Sequence, residues 1–351
     1  IKGPKLLHIV TKKGKGYIPA EREPIRFHST GPFELSSGLP KPEKKTLLKT
    51  YTQVFSDKLI ELAKKNKKII AITAAMPQGT GLDKFRNLFP DRFFDVGIAE
   101  AHAVCFAAGL AKGGLKPVVA IYSTFLQRAY DQIIEDVALQ EAGVVFCVDR
   151  AGIVGEDGVT HQGIFDIIFL KNIPNLVVME PKDAFELEKM LEFALNLDKP
   201  IAIRYPKSVC PSSPFSQFRP IELGKAELLK EGKDFVLIAF GSLVMPAYEA
   251  VESLKEGNLS GTLINARFAQ PIDENLFRSV SANAKFVFTA EEGIVDSGFG
   301  SAVAEAIGKP VVRIGLPLEF VPHGARDLLL KKYGLDAQAI ADKIKKTILN
   351  E

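Results

Sequence analysis

The chain has 351 residues, 45 basic against 42 acidic side chains, and a hydrophobic share of 46%. This length suits two domains of about 100–200 residues, and the composition is that of a globular protein, which excludes a disordered or fibrous chain. The interspersed charges predict no nucleic-acid or membrane partner, and no apolar run reaches the ~20 residues that cross a bilayer.

Residues 1–45 have the composition of a linker. A short apolar strand is predicted at residues 6–10, followed by a basic, glycine-containing segment and a Pro-rich polar stretch. The segment has too few periodic apolar residues to bury a core. The chain begins at Ile1, just before this strand, so we interpret it as a piece of something longer whose preceding domain ends with residues 6–10.

Helices and short apolar strands alternate from residue 46 onward. Residues 46–66 carry apolar side chains three and four apart, which predicts an amphipathic helix. Further helices are predicted at 99–111, 125–140 and 185–196, and strands at 69–73, 92–96, 117–122, 144–149, 176–179 and 201–204. Val- and Ile-rich runs that are covered by helices on both faces are typical of a parallel sheet.

The Pro-rich segment 206–220 marks a boundary, after which the alternation resumes. Strands are predicted at 235–240, 262–265, 286–289 and 311–314, and helices at 247–255 and from Gly300 onward. The sequence therefore predicts an α/β fold with two tandem three-layer α/β/α domains and mainly parallel sheets. The predicted domains span 46–205 and 221–351, with 206–220 as the linker between them.

Ligands bind at the carboxyl ends of the strands in open α/β sheets, so the residues that follow each strand are candidates for a site. Glu100 follows the strand at 92–96, in the first turn of the next helix, among small apolar residues. Two interpretations stay open for it. It complements the helix dipole, or it is a partly buried acid that shares a proton with a heterocyclic nitrogen of a ligand.

The strand at 117–122 ends in Tyr122, with Phe125 and Arg128 close behind. Two aromatic rings and an arginine at a strand end suit a stacking wall with an anion-pairing group. The structural alternatives are that Phe125 belongs to the core and that Arg128 only pairs with Asp131 on the same helix.

The loop after the strand at 144–149 carries the strongest signal. Its four glycines allow close approach of the backbone, and Arg150, Asp157 and His161 are interleaved among them. The planar guanidinium of Arg150 suits a phosphate or carboxylate, and His161 can transfer protons near neutral pH. Arg204, at the end of the strand at 201–204, is a further candidate for binding an anion.

The three cysteines, Cys105, Cys147 and Cys210, are scattered through apolar or strand-like surroundings. An odd number without C-x-x-C spacing is typical of reduced thiols in a cytosolic protein rather than of a disulfide framework or a zinc site. We therefore expect a cytoplasmic protein.

Several motifs resemble a known family. The pyrimidine-binding domain of thiamine-diphosphate enzymes is matched by ITAAMPQGTGL, DRFFDVGIAEAHAV, YSTFLQRAYDQ, DRAGIVGEDGVTHQGIFD and IRYP. The resemblance is specifically to the transketolase-like 1-deoxy-D-xylulose-5-phosphate synthase family. It extends over essentially the whole chain, through HIVTKKGKGY and FHSTGPFE near the start and NARFAQPID and VPHG of a transketolase-type C-terminal domain.

The resemblance implies a transferase that uses thiamine diphosphate and Mg²⁺. Its reaction would condense pyruvate with D-glyceraldehyde 3-phosphate, with loss of CO₂, to give 1-deoxy-D-xylulose 5-phosphate for isoprenoid, thiamine and pyridoxal biosynthesis. The family is homodimeric and holds Mg²⁺ and the diphosphate through a Gly-Asp-Gly motif on an N-terminal domain. No such motif occurs in this sequence, so we expect the metal ligands on a segment that precedes Ile1.

The resemblance also implies a role for each candidate residue. Glu100 would hydrogen-bond the aminopyrimidine, on which Phe125 would stack. The other cofactor-binding residues implied are Met76, Ile98 and Arg128. The substrate-binding residues implied are Tyr122, Arg150, Asp157, His161, Arg204 and Lys13, with the arginines serving the phosphate. Catalytic roles are implied for Glu100, His161 and His28, and both Lys13 and His28 match positions that reach back into the site.

Three alternatives stay open. The first is the beta subunit of a 2-oxo acid dehydrogenase decarboxylase component, against which the THQG loop and the HIVTKKGKGY tail argue. The second is transketolase itself, which the spelling DRAGIVGEDGVTHQG disfavours. The third is a non-catalytic module for dimerisation or interaction, which the missing metal motif suggests.

Overall fold

The computed structural model describes residues 2–24, 26–28, 30–41, 48–215 and 218–350. The chain divides into two compact units, Ile1–Leu47 and Leu48–Glu351. Within these described ranges, no helix is long and apolar enough to cross a membrane.

The described residues of the first unit include one short helix, α1 (Ile18–Arg22), and a small aromatic cluster. The ring centroids of Tyr17, Phe27 and Phe33 lie 5.2–5.8 Å apart. The predicted strand at residues 6–10 is wrong, since these residues form no strand and Leu6 is 97% exposed. An apolar segment becomes a strand only when it hydrogen-bonds to a neighbouring one, and residues 6–10 form no ladder with the described part of this chain.

The second unit alternates strands and helices along its length. Its strands are β1 (Ile69–Thr73), β2 (Phe93–Asp95), β3 (Lys116–Tyr122), β4 (Val145–Asp149), β5 (Val177–Met179), β6 (Ile201–Tyr205), β7 (Glu227–Lys230), β8 (Phe235–Ala239), β9 (Gly261–Asn265), β10 (Phe268–Gln270), β11 (Val287–Ile294) and β12 (Val312–Leu316). Its helices are α2 (Tyr51–Lys65), α3 (Asp83–Leu88), α4 (Glu100–Lys112), α5 (Ser123–Leu126), α6 (Tyr130–Gln132), α7 (Asp166–Lys171), α8 (Ala184–Leu197), α9 (Val244–Glu256), α10 (Glu274–Ser281), α11 (Phe299–Ile307), α12 (Arg326–Lys332) and α13 (Ala337–Leu349).

Two sheets form the centre of this unit. The first has the strand order β10-β5-β6-β4-β3-β1-β2 and is parallel except for β10. The second has the order β12-β11-β8-β9-β7 and is parallel except for β7. The predicted α/β class with mainly parallel sheets is confirmed.

One strand of the first sheet comes from the C-terminal half of the chain. β10 pairs antiparallel with β5, with Phe268 opposite Met179, although β10 follows β9 of the second sheet. Phe268 is buried in the same apolar cluster as Leu187 and Met179 of the first half. The sequence predicted two sheets drawn from separate stretches, so this crossover is a difference from the expectation. A three-residue strand is too short to produce a recognisable alternation.

Helix α2 begins at Tyr51, later than predicted, because Thr50 caps it. The Thr50 hydroxyl accepts a hydrogen bond from the Gln53 N–H at 3.2 Å, and the Gln53 side chain accepts one from the Thr50 N–H at 2.9 Å. This reciprocal capping box fixes the start of the helix at Tyr51. Residues 46 and 47 of the predicted helix lie outside the described residues.

The helix predicted at 125–140 is instead a series of short helical turns. After α5 come a 3₁₀ turn at Gln127–Ala129, α6, and a π-helical turn at Ile133–Ala138. Such turns interrupt regular helices at functional sites. Here the 3₁₀ turn packs against α4, which brings Arg128 to the first turn of that helix.

Candidate active site

The first sheet aligns the carboxyl ends of β3 and β4. Tyr122 at the end of β3 is the register partner of Asp149 at the end of β4. Arg150 directly follows Asp149, so the parallel pairing places it at the same edge as Tyr122. The strand-end rule therefore brings two predicted site residues together here.

Four of the predicted residues form a continuous group that we call the aromatic–arginine wall: Tyr122, Phe125, Arg150 and His161. The Arg150 Cζ lies 4.1 Å from the centroid of the Tyr122 ring. The Tyr122 ring stacks on Phe125 at 5.8 Å, and the Phe125 ring meets His161 edge-on at 5.3 Å. A guanidinium over an aromatic face is attracted by the ring quadrupole, so this group presents one cation on an aromatic surface.

Arg150 is fixed by buried neighbours. Its backbone is left-handed, with φ at +60°. The Asp149 Oδ1 accepts hydrogen bonds from the Arg150 N–H at 2.7 Å and from its Nη1 at 2.9 Å, and the Gly79 carbonyl also accepts from Nη1. Thr52 donates to the other oxygen of Asp149 at 2.9 Å. The Nε of Arg150 is buried without a partner among the described residues, which suits it to an anionic ligand.

The protonation states at this edge follow from burial and charge. Burial raises the pKa of the Asp149 carboxyl, although the charge of Arg150 opposes that rise. Burial disfavours the charged form of Arg150, but the nearby Asp149 outweighs it and raises the pKa of the guanidinium. Burial also raises the pKa of Tyr122, so the wall holds a neutral phenol beside a cation.

The glycine-rich loop that follows β4 returns on itself at Gly152 and Gly163, whose N–H and C=O groups exchange hydrogen bonds at 2.7 and 2.8 Å. A Cβ on Gly163 would overlap the Arg150 carbonyl, so the close approach requires glycine. The Nδ1 of His161 lies 3.0 Å from the Thr160 hydroxyl. Asp157, in the same loop, is half-buried and forms an ion pair with Lys207 at 2.5 Å.

Glu100 is the first residue of α4 and only 4% exposed. Its Oε2 lies 3.5 Å from the Nε of Arg128, which is itself 68% exposed. Arg128 therefore forms its ion pair with Glu100 of α4, whereas the structural alternative predicted a pair with Asp131. Ile98, two residues before Glu100, is 83% exposed, and Met76 is half-buried against the core of the first sheet.

The chemistry of these groups suits the aminopyrimidine portion of thiamine diphosphate, the cofactor that the resemblance implies. A planar heterocycle needs an acid for a ring nitrogen, an aromatic face and apolar contacts, which Glu100, Phe125, Ile98 and Met76 offer. Among the residues that the structure describes, no cluster of three or more His, Cys, Asp or Glu side chains is arranged to hold a metal ion.

Arg204 is fully buried and already bound on every nitrogen. Its Nε and Nη2 lie 3.1 and 3.0 Å from the carboxylate of Asp166, its Nη2 donates to the Glu292 carbonyl at 3.1 Å, and its Nη1 contacts Glu180. Binding of a substrate anion by Arg204 stays a prediction. In this geometry it requires the guanidinium to leave these carboxylates.

Lys13 and His28 lie in the first unit. The Nζ of Lys13 is 2.9 Å from the Nδ1 of His28, so the two predicted residues contact each other. Their participation in the site stays a prediction.

Sequence reasoning missed the residues that support the wall. Asp149, Thr52 and Gly79 hold Arg150, and Glu292 holds the loop that follows it. The available signals were the acid that precedes Arg150 and the adjacent pair Glu291-Glu292 within an apolar strand. Buried acids of this kind are rarely left unpaired, so each should have been expected to bind a partner.

Comparisons with known proteins agree with this fold. Residues 49–212 match the transketolase pyrimidine-binding domain, and residues 224–340 match the transketolase C-terminal domain. A structure titled "Split gene transketolase, inactive beta4 tetramer" is 30% identical, with a TM-score of 0.78 over 86% of this chain and 98% of that chain. Transketolase from Campylobacter jejuni, at 20% identity and a TM-score of 0.76 over 87% of this chain and 48% of that chain, has the same fold. The chain belongs to the transketolase family.

Within that family, the chain is similar to curated 1-deoxy-D-xylulose-5-phosphate synthases. The relative from Caldanaerobacter subterraneus subsp. tengcongensis is 51% identical over 98% of this chain and 56% of the relative. Those from Natranaerobius thermophilus and Halothermothrix orenii are 49% and 50% identical, over 97% and 99% of this chain and 55% and 56% of each relative. The chain thus spans little more than half the length of these relatives, and the resemblance predicted from the motifs is confirmed.

Proposed function

We propose that this chain forms the aminopyrimidine- and substrate-binding part of a thiamine-diphosphate-dependent carboligase. The reaction joins pyruvate to D-glyceraldehyde 3-phosphate and releases CO₂, which gives 1-deoxy-D-xylulose 5-phosphate. The observation that carries the proposal is the buried Glu100 at the start of α4, beside the exposed apolar surface of Ile98. Identity of about one half to the synthases over nearly the whole chain supports this choice of substrates.

When bound, thiamine diphosphate supplies the nucleophilic carbon that takes up the acyl group of pyruvate. The role of Glu100 is to hold a proton at a ring nitrogen of the aminopyrimidine, which its buried position favours by excluding water. Arg128, 3.5 Å from the carboxylate, orients it, and the ring of Phe125 orients the heterocycle by stacking. Met76 and Ile98 complete the apolar contacts.

The phosphate of the aldehyde substrate is bound by Arg150, whose Nε has no partner in the described part of the chain and whose charge Asp149 maintains. Tyr122 donates its neutral hydroxyl nearby, and His161 moves a proton at the substrate oxygen. Asp157, Arg204 and Lys13 are further proposed members of the substrate-binding set, and His28 is a further proposed catalytic residue. The resemblance alone supports Lys13 and His28.

The other partners are proposals as well. The resemblance implies that an N-terminal part of the protein binds the diphosphate and Mg²⁺, and that the protein is a homodimer. The compartment that we propose is the cytoplasm, in line with three cysteines that are all free thiols.

The substitution Glu100→Gln tests the proposal in an active protein that contains this chain and the N-terminal part present in the relatives. General acid–base catalysis contributes about 10²- to 10⁴-fold, so kcat should fall by at least about 10²-fold. A matched control is Glu274→Gln, since Glu274 is also the first residue of a helix and pairs with an arginine, Arg278, at 3.0 Å. Turnover of pyruvate and aldehyde by Glu100→Gln at the wild-type rate would reject the assignment.

A second candidate is that the chain alone is a non-catalytic assembly module. The split-gene transketolase structure, titled an inactive beta4 tetramer, is similar to nearly this whole chain and favours this candidate. Calorimetry with thiamine diphosphate and Mg²⁺ separates the two, first on the chain alone and then with the N-terminal part added. Tight binding only in the mixture supports the carboligase, and no binding in either supports the module.

Release of a sugar phosphate, rather than acyl transfer to a lipoyl arm, excludes the dehydrogenase beta subunit.

A further inference from the structure

The glycine-rich loop, residues 150–163, is held by a buried ion pair from the other half of the second unit. The Oε1 of Glu292, in β11, accepts a hydrogen bond from the Ile153 N–H at 2.6 Å. The Nη1 of Arg326, in α12, donates to the Ile153 carbonyl at 2.8 Å. Both backbone polar groups of one loop residue are therefore bound by Glu292 and Arg326, which also bind each other.

The ion pair is itself closely enclosed. The Nη2 of Arg326 donates to the Oε2 of Glu292 at 2.7 Å, and the Ser242 hydroxyl donates to the same oxygen at 2.7 Å. A Cβ on Gly152 would overlap the Glu292 carboxylate, and one on Gly155 would lie 2.9 Å from the Arg326 backbone nitrogen. Gly152 is thus required by contact with the Glu292 side chain and Gly155 by contact with the backbone of α12, and both glycines also have a positive φ.

Hydrogen bonds of Gln162 also connect the end of the glycine-rich loop to the C-terminal half of the second unit. The side-chain oxygen of Gln162 accepts a hydrogen bond from the Val154 N–H at 2.8 Å, and its nitrogen donates to the Pro322 carbonyl at 3.2 Å. Gln162 directly follows His161, and Ile153 lies three residues after Arg150. Both ends of the loop are therefore anchored next to residues of the aromatic–arginine wall.

The charge of Glu292 makes these bonds strong. Burial alone would raise the pKa of this carboxyl, but the Arg326 charge and the hydrogen bonds from Arg326, Ser242 and Ile153 outweigh it and lower the pKa. An ionised acceptor forms shorter and stronger hydrogen bonds than a neutral one. The Ile153 N–H is thus bound by a carboxylate whose ionised form is favoured and which is itself only 1% exposed.

We propose that Glu292 and Arg326 are positioning residues for the substrate loop. They fix the backbone at Ile153, and through the adjacent bridge of Gly152 with Gly163 they set where Arg150 and His161 stand relative to Tyr122. The kinetic consequence rests on the proposed function, in which Arg150 binds the phosphate of the aldehyde.

The opposing explanation is that the pair only stabilises the fold, and Glu291 offers a matched control. It precedes Glu292 in β11, is equally buried, and its two oxygens accept hydrogen bonds from the Phe299 and Gly300 N–H groups at 2.7 Å each. These groups lie at the start of α11, so Glu291 supports the fold at a place other than the loop.

Hydrogen–deuterium exchange of the full chain tests the structural part. A hydrogen bond to a charged group is worth enough to change an opening equilibrium about 10- to 100-fold, and Glu292→Gln should speed exchange at Ile153 by that factor. Glu291→Gln should change the same amide by no more than about twofold. Arg326→Lys keeps the positive charge but lacks the guanidinium fork that binds both Glu292 oxygens and the Ile153 carbonyl together, and it gives a second variant if Glu292→Gln does not fold. Equal exchange of Ile153 in the Glu291 and Glu292 variants would overturn the proposal.

Steady-state kinetics of the active protein tests the functional part. Glu292→Gln should raise KM for D-glyceraldehyde 3-phosphate by about tenfold, more than it raises KM for pyruvate, because the loop holds the phosphate-binding Arg150. Glu291→Gln should leave the ratio of the two KM values unchanged. A wild-type ratio in Glu292→Gln would overturn the proposal. If the wild-type protein has no carboligase activity, the proposed function fails, and the exchange comparison still decides whether the ion pair positions the loop.

Discussion

Arg150 adopts a left-handed backbone conformation that costs an ordinary residue about 1–2 kcal/mol. Asp149 offsets this cost, because its carboxylate binds both the backbone N–H and the Nη1 of Arg150. The same two bonds restrict the guanidinium to a position over the Tyr122 ring. Unfavourable backbone conformations are retained at functional sites where the surroundings determine them, and Arg150 meets that description.

The substitution Arg150→Lys should therefore impair substrate binding more than stability. An ammonium is a single point charge without the planar fork that lets a guanidinium bind Asp149 and the Gly79 carbonyl and still present a donor to a phosphate. We therefore expect KM for D-glyceraldehyde 3-phosphate to rise about 10- to 100-fold. Arg92→Lys is the control, because Arg92 also lies over an aromatic ring, Phe89 at 4.2 Å, and donates to backbone carbonyls. An unchanged KM in Arg150→Lys would contradict the role assigned to the wall.

The strand-end residues could be predicted one by one, whereas the sequence indicated that the buried acids have partners but not which residues those partners are. Tyr122, Phe125, Arg150 and His161 follow strands, and the general rule for α/β sheets locates them without coordinates. Asp149 supports Arg150 through its own position at the end of β4, but the part played by Glu292 depends on a contact between residues 139 positions apart. Pairings at such separations leave no periodicity in a single sequence.

At the scale of elements, β10 links the two halves of the second unit. It pairs with β5, and Phe268 contributes its ring to the apolar cluster of the first sheet, 6.3 Å from Phe193. Strands that consist of a continuous buried apolar run lie close to their predicted bounds, and β1 matches them over all of residues 69–73. The helix predicted at 125–140 did not, because apolar spacing alone does not distinguish α, 3₁₀ and π turns.

Removal of the Phe268 ring should loosen the first sheet although the residue belongs to the C-terminal half. Loss of a buried phenylalanine costs about 3–5 kcal/mol, so Phe268→Ala should lower the free energy of unfolding and speed exchange in β5. Phe235→Ala, which removes a ring equally buried in the cluster of the second sheet, should leave β5 exchange nearer that of the wild type. Hydrogen exchange of β5 at the wild-type rate in Phe268→Ala would show that the pairing of β10 with β5 does not depend on this side chain.

Across the second unit as a whole, a buried charge cluster joins the two sheets. Arg204 and Arg326 meet the carboxylates of Asp166, Glu180 and Glu292, three acids for two bases. Burial, together with the charges of Glu292 and Asp166, raises the pKa of Glu180 to about 7, although Arg204 and the Ser242 N–H oppose it. Glu180 is thus the carboxyl group of this cluster that takes up a proton near neutral pH.

This raised pKa predicts how stability varies with pH. The folded state binds the Glu180 proton more tightly than the unfolded state does, so its contribution to the free energy of unfolding falls as pH rises from about 4.5 to about 7. Gln does not titrate, so the stability of Glu180→Gln relative to wild type should increase between about pH 5.5 and about pH 8. The measurement is urea unfolding at both values, with Phe235→Ala as a non-titrating control. A difference independent of pH would show that Glu180 stays ionised throughout.

The crossing of β10 limits how the polypeptide can be divided. A cut in the Pro-rich stretch between β6 and β7 would separate β10 from β5 and leave β5 as an uncovered edge strand of the first sheet. An uncovered margin of this kind is a template for aggregation. Either half, transferred into another protein without the other, should thus be prone to aggregation, because β5 and β10 would each lose their partner strand.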